Sequence, residues 1–340
     1  MDRNFGRYST TTSSAAGSIV ALGALVLAGA AVIVNRQSAK AEKAFPPKGA
    51  FVSVDGMRLH YVERGHGRPV VVLHGNGMMV EDMLISGLVD AATDSSFHVI
   101  AIDRPGFGHS ERTRGIAWTA AAQADLLAKT FTKLGIERPI IVGHSLSTMV
   151  ALSLALSHPE QVSGLVLASG YYFPTVRGDV ALVAPTAAPL LGDLLCYTIA
   201  PLAGEFTSPG MIKQMFAPQP VPNRFHDQFP IGLMLRPSQI QASSKDATHM
   251  IPDAAAMQSR YPTLSCPVAI LAGGADKVVD LNAQAIKLHQ AVPGSMLDIF
   301  EGAGHMIHYA DPARVVRAIE FVCGTDSPGI GGQVAAEKVA

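Results

Sequence analysis

Short, nearly continuous apolar runs recur along the chain, and amphipathic stretches separate them. Four such runs precede residue 171, at residues 69–75, 98–106, 139–145 and 162–170. The segments between them carry apolar residues at helical spacing, over about 79–92, 119–134 and 146–157. Strands that are apolar along their whole length and alternate with helices form parallel sheets covered on both faces. The pattern therefore predicts an α/β fold with a doubly wound, mostly parallel sheet.

An antiparallel hairpin opens the fold, because residues 50–62 alternate apolar and polar positions around the turn pair Asp55-Gly56. The alternation of apolar runs and helical stretches resumes in the C-terminal part of the chain. Residues 49–170 and 262–323 are therefore expected to form one α/β core. Its later elements are predicted as strands at 267–274 and 295–300 and helices near 281–291 and 312–323.

The stretch between the two parts of the core has a different pattern. Residues 171–261 contain many prolines and no alternating strands, which predicts a helical cap inserted into the core. In open α/β sheets, ligands bind at the carboxyl ends of the strands, so this cap is a candidate lid over a site. Its segment "LLCYTIAPL", residues 194–202, suits either ordinary core or a surface that contacts lipid or an acyl chain.

The N-terminus carries a second departure from the α/β pattern. Residues 15–34 contain no charged side chain, and twenty residues of helix match a hydrocarbon core of about 30 Å. We predict an uncleaved transmembrane helix that a polar segment, 1–14, precedes and a polar tether, 35–48, follows. The basic residues on its two sides give no clear orientation. At the other end of the chain, residues 324–340 are predicted to form a mobile tail.

A cleaved signal peptide is the alternative interpretation of the N-terminus. Ala39 and Ala41 form an A-x-A pattern before Glu42, and cleavage there would release a secreted or periplasmic protein. Arg36 and Lys40 would make that cleavage region unusually basic, however. The sequence therefore favours the membrane anchor.

Composition excludes several other classes of function. With 340 residues, of which 48% are hydrophobic and 16% charged, the chain can bury a large core. Its 26 basic and 27 acidic residues include no long run of either sign, so nucleic acid is not an expected partner. The three cysteines have neither disulfide nor zinc-site spacing. Composition does not indicate an oligomeric state.

The segment "PIIVGHSLSTMV", residues 139–150, carries the strongest chemical signal. Ser145 stands where a buried strand must turn sharply into a helix, a place that lifts its hydroxyl above the edge of the sheet. Such a turn needs small residues two positions before and after the serine, and Gly143 and Ser147 occupy them. The simpler alternative is that Ser145 caps the helix that follows.

A serine hydroxyl becomes a good nucleophile only beside a base, and the base needs an acid to orient it. Asp276 follows the strand at 267–272 and His305 follows the strand at 295–300, so both lie at the same edge as Ser145. We therefore predict Ser145, His305 and Asp276 as nucleophile, base and acid. The neighbouring Asp280 is interpreted as a helix N-cap, and His74, His144 and His308 as structural histidines.

These motifs together resemble the α/β-hydrolase family over residues 50–323. The family's elements occur in order: "HGNG" at 74–77, "DRPGFGHS" at 103–110, "GHSLS" at 143–147, "GGADKVV" at 273–279 and "GAGHMIHYADP" at 302–312. The resemblance implies the same triad, with an oxyanion hole made by the backbone N–H groups of Asn76 and Leu146. It also implies that His74, Gly75, Gly143 and Ser147 support the elbow, where the family usually has glycine in place of Ser147.

The expected activity is hydrolysis of a carboxylic ester with an apolar acyl part, by a membrane-anchored serine esterase or lipase. Family members that act on haloalkanes or epoxides use aspartate at the elbow, so Ser145 argues against those reactions. No cofactor or metal is expected. The same triad would also suit acyl transfer, perhydrolysis or carbon–carbon bond hydrolysis, and a non-catalytic, membrane-tethered binding protein is the alternative from another class.

Overall fold

The computed structural model describes residues 11–176 and 178–325. Eight strands form a single sheet in the order β1-β2-β4-β3-β5-β6-β7-β8. Only the pairs β1–β2 and β2–β4 in this sheet are antiparallel, and its other neighbouring strands run parallel. The strands are β1 (Ala50–Val54), β2 (Met57–Arg64), β3 (Arg68–Leu73), β4 (Phe97–Ile102), β5 (Ile140–His144), β6 (Gly164–Ala168), β7 (Val268–Gly273) and β8 (Met296–Phe300).

Helices cover both faces of the sheet, which confirms the predicted doubly wound α/β fold. Val71, Ile141 and Leu165 are buried in an apolar cluster with α4 and α5, whereas Val70 and Val142, which alternate with them, join a cluster with α3 and α14. The core helices are α2 (Val80–Ile85), α3 (Leu88–Asp94), α4 (Ala120–Leu134), α5 (Ser147–Ser157), α12 (Lys287–Ala291), α13 (Ile307–Ala310) and α14 (Pro312–Thr325).

Two details of the core differ from the sequence-based expectation. The helix expected over 79–92 is divided into α2 and α3, because Gly87 has a left-handed φ of 81° that ends the first helix. The helix expected near 281–291 begins as a π-helical turn, Asn282–Ile286, before α12. Asp280 Oδ1 accepts a hydrogen bond from Ala283 N at 2.7 Å, as predicted for a helix N-cap.

The cap between β6 and β7 is helical over its described residues, apart from connecting turns. A buried ion pair joins it to the core: Arg104 Nη1, next to β4, lies 2.6 Å from Asp246 Oδ2. Arg112 Nη1 binds the other oxygen of the same carboxylate at 2.8 Å. The cap helices are α6 (Gly178–Ala187), α7 (Leu191–Cys196), α8 (Ile199–Phe216), α9 (Asn223–Gln228), α10 (Ile231–Met234) and α11 (Pro237–Met257).

The N-terminal helix α1 (Thr11–Ala44) is longer than the predicted anchor. Its part from Ser18 to Ala44 is long and apolar enough to cross a membrane, a property that signal sequences share. The predicted tether, 35–48, is not extended, because residues 35–44 continue the helix. Val34 and Ala41, two turns apart on one face of α1, are buried, and α1 contacts α8 and α10 of the cap. Of the predicted N-terminal segment and tail, residues 1–10 and 326–340 lie outside the described residues.

Gly273 offers a test of how β7 packs against the loop after β8. A Cβ atom at Gly273 would lie 2.1 Å from the carbonyl oxygen of Gly304, whereas one at Gly274 would meet nothing closer than 3.4 Å. Gly273→Ala should therefore lower the free energy of unfolding by about 1–3 kcal/mol or more, because backbone must move. Urea unfolding of the detergent-solubilised chain measures the change. Gly274→Ala is the matched control, and an equal loss from both variants would contradict this packing.

Candidate active site

The turn at Ser145 joins the end of β5 to the start of α5. Ser145 has a φ of 55°, in the left-handed region that serine rarely adopts. Hydrogen bonds hold it there: its N–H donates to Ala168 O at 2.9 Å, and its carbonyl oxygen accepts from Thr148 N at 3.1 Å and from Thr148 Oγ1 at 2.7 Å. Leu146, not Ser145, precedes the first residue of α5, and no side chain caps that helix. The hydroxyl is thus free of the capping role that was the simpler alternative.

Two glycines allow other backbone segments to approach this turn. A Cβ atom at Gly143 would lie 2.8 Å from the carbonyl oxygen of Ser147. One at Gly75 would lie 2.9 Å from His144 Nδ1 and 3.3 Å from Ser145 Cβ. Side chains at either position would push the strand β5 or the loop after β3 away from the serine.

Ser147 has a contact that glycine could not make. Its side chain is fully buried, and its hydroxyl donates a hydrogen bond to the carbonyl oxygen of His74. That bond ties the first turn of α5 to the loop after β3, which carries Asn76. Where the family usually has glycine, this serine therefore adds a hydrogen bond between α5 and the loop after β3.

The structure brings the three predicted triad residues together at the carboxyl edge of the sheet. His305 Nε2 lies 3.0 Å from Ser145 Oγ, and His305 Nδ1 lies 2.8 Å from Asp276 Oδ2. The other carboxylate oxygen, Asp276 Oδ1, accepts from Val278 N at 2.7 Å and from Val279 N at 3.1 Å. The side chains of His305 and Asp276 are almost fully buried. A carboxylate held in this way fixes the orientation of the imidazole and stabilises its protonated form.

Two backbone amides near the serine were predicted to bind an oxyanion. In the described part of the chain, neither Asn76 N nor Leu146 N donates a hydrogen bond to another protein group. The side chain of Asn76 is fixed separately, because its Nδ2 donates to Ser243 O of α11 at 3.1 Å. The cap thus binds the same loop that supplies one of the two amides.

A buried histidine pair lies behind the triad. His308 Nε2 is 3.2 Å from Asp82 Oδ2, and the His308 ring lies 4.4 Å from the ring of His144, centroid to centroid. His144 Nε2–H donates to the carbonyl oxygen of His305 at 3.2 Å, and burial followed by the nearby His308 and His305 lowers the pKa of His144 well below its usual value. A neutral His144 therefore positions the backbone that carries the base.

Sequence patterns did not indicate Asp82, because it lies outside the motifs at 74–77 and 103–110. In the structure it is one of four consecutive buried residues of α2, Val80–Met83. Asp82, His144 and His308 each place one potential ligand atom within 4.8 Å of the others, so this buried group has the spacing to hold a metal ion. Part of that ligand capacity is already used by the Asp82–His308 and His144–His305 contacts.

Two clefts lie near the cap, and no triad residue lines either of them. The smaller one, beside Leu146, has a volume of about 10 Å³. Its lining is both apolar and polar: Trp118, Ala120, Met149 and Met250, and Gln123, Asp246, His249 and Asp253. A wider cleft of about 670 Å³ lies between α11, the end of α1 and the loop at residues 106–116, and no triad residue lines it.

His74 has a structural role at the start of the loop after β3. Its Nδ1–H donates to Gly75 O at 2.8 Å, and its Nε2 accepts from Arg104 N at 3.1 Å. Burial, followed by the charge of Arg104, lowers the pKa of His74 from 6.5 to about 4. The ring is therefore neutral near pH 7, as its acceptor contact requires.

Comparisons with known proteins identify the family of this chain. The family model described as "Alpha/beta hydrolase family" matches residues 70–318. An uncharacterized protein of Mycobacterium tuberculosis is 30% identical over 304 residues, which are 85% of this chain and 85% of that protein. The 2-hydroxymuconate semialdehyde hydrolase of Pseudomonas putida is 25% identical over 296 residues, covering 83% of this chain and 96% of the relative.

Solved structures show the same fold. A thermophilic esterase from Thermogutta terrifontis superposes with a TM-score of 0.66 at 22% identity, over 82% of this chain and 99% of its own. A membrane phospholipase A, described as a bacterial virulence factor, gives a TM-score of 0.62 at 20% identity, over 93% of this chain and 96% of its own.

The lowered pKa of His74 makes a prediction for stability in acid. Between about pH 6.5 and pH 4 the unfolded chain binds a proton at His74 that the folded chain excludes, so acidification through this window should lower the free energy of unfolding by about 3 kcal/mol. His74→Gln should remove this contribution and flatten the pH dependence, measured by urea unfolding at pH 4.5, 5.5 and 7. The exposed His226→Gln is the control. A pH slope unchanged by His74→Gln would show that the ring does not titrate in this way.

Proposed function

The chain belongs to the alpha/beta hydrolase family, and from that premise we propose that it is a serine hydrolase that cleaves carboxylic esters with an apolar acyl part. The observation that carries this proposal is the continuous hydrogen-bonded line from Ser145 Oγ through His305 to Asp276, with distances of 3.0 and 2.8 Å. A nucleophile, a base and an orienting acid in this geometry are the requirements for acyl transfer.

In the proposed reaction, His305 takes the hydroxyl proton as Ser145 Oγ attacks the ester carbonyl carbon. The oxyanion that forms accepts hydrogen bonds from Asn76 N–H and Leu146 N–H, which develop their full strength only in the transition state. The tetrahedral intermediate expels the alcohol, which receives its proton from His305, and an acyl-enzyme remains. His305 then deprotonates a water that attacks the acyl-enzyme, releases the carboxylic acid and restores Ser145.

The apolar acyl preference rests on the surroundings of Leu146. Trp118, Met149 and Met250 surround a space of only about 10 Å³ beside this residue, which Asp246 and Asp253 also line. An acyl group would have to part these side chains, and it would then lie against the apolar ones. Burial of each additional methylene contributes about 0.8 kcal/mol, so esters with longer acyl chains should bind and react better for as long as the added methylenes contact apolar side chains.

Hydrolysis of a carbon–carbon bond is the second candidate. The relative from Pseudomonas putida, which the match covers over 96% of its length, is named as a 2-hydroxymuconate semialdehyde hydrolase. The same serine, histidine and aspartate would serve that reaction, since it also passes through attack on a carbonyl group. The two candidates differ in the substrate, not in the triad.

Labelling with a fluorophosphonate probe tests the nucleophile. The wild-type chain should be labelled on Ser145, Ser145→Ala should not be labelled, and His305→Ala should react far more slowly. Turnover of nitrophenyl esters should fall by about 10⁴-fold or more in both variants. Ser157→Ala, an exposed serine on the same helix, is the matched control.

The choice of substrate separates the two candidates. Activity that rises from acetate to octanoate esters supports the esterase, whereas serine labelling with turnover of a ring-opened vinylogous diketone and none of the esters supports carbon–carbon hydrolysis. A folded protein that is not labelled at Ser145 would falsify both and favour a non-catalytic role.

We also propose that α1 anchors this enzyme in a membrane. Large apolar side chains of α1, such as Ile19, Leu22 and Leu25, are exposed in the described chain, and exposed apolar surface of this extent on a helix suits contact with lipid tails. The packing of Val34 and Ala41 against the protein ties this helix to the cap.

Membrane fractionation tests the anchor. The full chain should stay in the membrane pellet after an alkaline carbonate wash. Such a wash releases proteins held at the membrane surface by ionic contacts, but it does not extract a helix that spans the bilayer. A chain that lacks residues 1–30 keeps the part of α1 that packs on the cap, so it should be soluble and still labelled by the probe. Mass spectrometry of the N-terminus is the control: a mature chain that begins at or near Glu42 would show a cleaved signal peptide instead.

A further inference from the structure

The cap helices α7 and α8 expose large apolar side chains to solvent. Leu190 and Phe206 are 83% and 85% exposed, and Leu194 and Ile199 are about half exposed. The two helices contact each other, so these side chains, with Leu190 just before α7, lie on neighbouring elements of the cap. We define these four residues as the apolar cap face. The segment "LLCYTIAPL", for which the sequence left core and lipid contact open, contributes two of them.

The pattern of α8 shows that this exposure is not incidental. Pro201, Ser208, Ile212 and Phe216 form the buried side of the helix. On the opposite side, Ile199, Ala203, Phe206 and Gly210 follow one another at spacings of four, three and four residues, and all four are apolar or lack a side chain. A surface helix of a water-soluble domain carries polar or charged residues there.

Charges are almost absent from this part of the cap. Between residues 185 and 211 only Asp193 and Glu205 are charged. Both are engaged: Asp193 Oδ1 accepts from Gln241 Nε2 at 2.7 Å, and Glu205 Oε1 accepts from Gln37 Nε2 at 2.9 Å. Both carboxylates therefore have polar partners within the protein, and the other charged residue of α8 is Lys213, one turn beyond Gly210.

The hydrogen bond between Gln37 of α1 and Glu205 of α8 indicates the depth of this face relative to a bilayer. Gln37 lies three residues after Val34, the last residue of the apolar segment, which is about 4.5 Å along a helix axis. Glu205 therefore lies at the depth where α1 would leave the hydrocarbon core, and Phe206 is the next residue. Exposed Arg36, Lys40 and Lys43 on α1 lie in the same zone, where anionic headgroups attract basic side chains.

We propose that the apolar cap face inserts into the bilayer leaflet from which α1 emerges, so that the cap lies on the membrane. This inference rests on the proposed anchor. Leu190, Leu194, Ile199 and Phe206 would then contact acyl chains, which removes their surface from water.

A substrate class follows from this placement. α11 contacts both α7 and α8, and Ser243 O of α11 binds the side chain of Asn76 beside the serine. The helix over the site is thus held by helices that lie in the lipid. The substrates should therefore be lipid esters presented in a bilayer. Hydrolysis of soluble esters should not depend on contact between the apolar cap face and lipid.

Depth-dependent fluorescence quenching tests the surface without any need for catalysis. The full chain with Phe206→Trp is reconstituted into phosphatidylcholine and phosphatidylglycerol vesicles with and without brominated acyl chains. The native Trp118 is buried and its signal is subtracted with wild-type protein. We expect brominated lipid to quench the fluorescence added by Phe206→Trp by more than half, and iodide in the buffer to have little effect.

Lys133→Trp, at an exposed position in the last turn of α4, is the matched control and should be quenched by iodide alone. The proposal is wrong if Phe206→Trp behaves like that control. It is equally wrong if neither quencher reaches Phe206→Trp, a result that would show a protein partner, such as a second copy of this chain, over the face.

Activity measurements test the substrate class. Phe206→Asp and Leu194→Asp should each lower the hydrolysis of phospholipid in vesicles about tenfold and leave turnover of soluble nitrophenyl butyrate unchanged, while Lys133→Asp affects neither. Unchanged activity on vesicles in both cap variants would overturn the substrate class. If wild-type protein hydrolyses neither ester, the proposed ester hydrolysis fails with it, whereas the quenching result still decides whether the face lies in lipid.

Discussion

The left-handed turn at Ser145 is the constraint around which the rest of the site is arranged. A side chain with a φ of 55° at the end of a buried strand is strained, and it persists because Ala168 and Thr148 bind its backbone on both sides. Once the turn is fixed, its neighbours must be small, which explains Gly143 and Gly75. The hydroxyl then points away from the helix and toward His305, so the strain places the nucleophile.

The base is held as firmly as the serine, through its backbone and through its ring. Asp276 binds the ring, while His144 binds the carbonyl oxygen of His305 from behind. Gly304, just before the base, packs so closely against Gly273 of β7 that a side chain at Gly273 would clash with it. Together these contacts leave the imidazole few alternative positions. A base that does not need to reorganise during the reaction lowers the cost of the proton transfers in the proposed mechanism.

Much of this could be predicted because α/β topology is strict. Parallel strands end at the same edge, so Ser145, Asp276 and His305 could be placed near one another from their positions after three strands. The boundary of α1 could not be predicted in this way. Residues 35–44 are polar enough for a tether, but they continue the helix, and Ala41 packs within the protein where α1 contacts the cap. The contacts of Ser147 with His74 and of Asp82 with His308 also join segments distant in sequence.

The sequence by itself determined the doubly wound sheet, the elbow and the identity of the residues that follow each strand, since these depend on local periodicity and turn chemistry. Tertiary structure decided which of the cap's apolar residues are core and which are surface. The segment 194–202 would read the same whether it formed core or surface. In the structure Cys196 is buried, whereas Leu194 and Ile199 are about half exposed. Burial is a property of the contacts between elements, and no single stretch of sequence specifies those contacts alone.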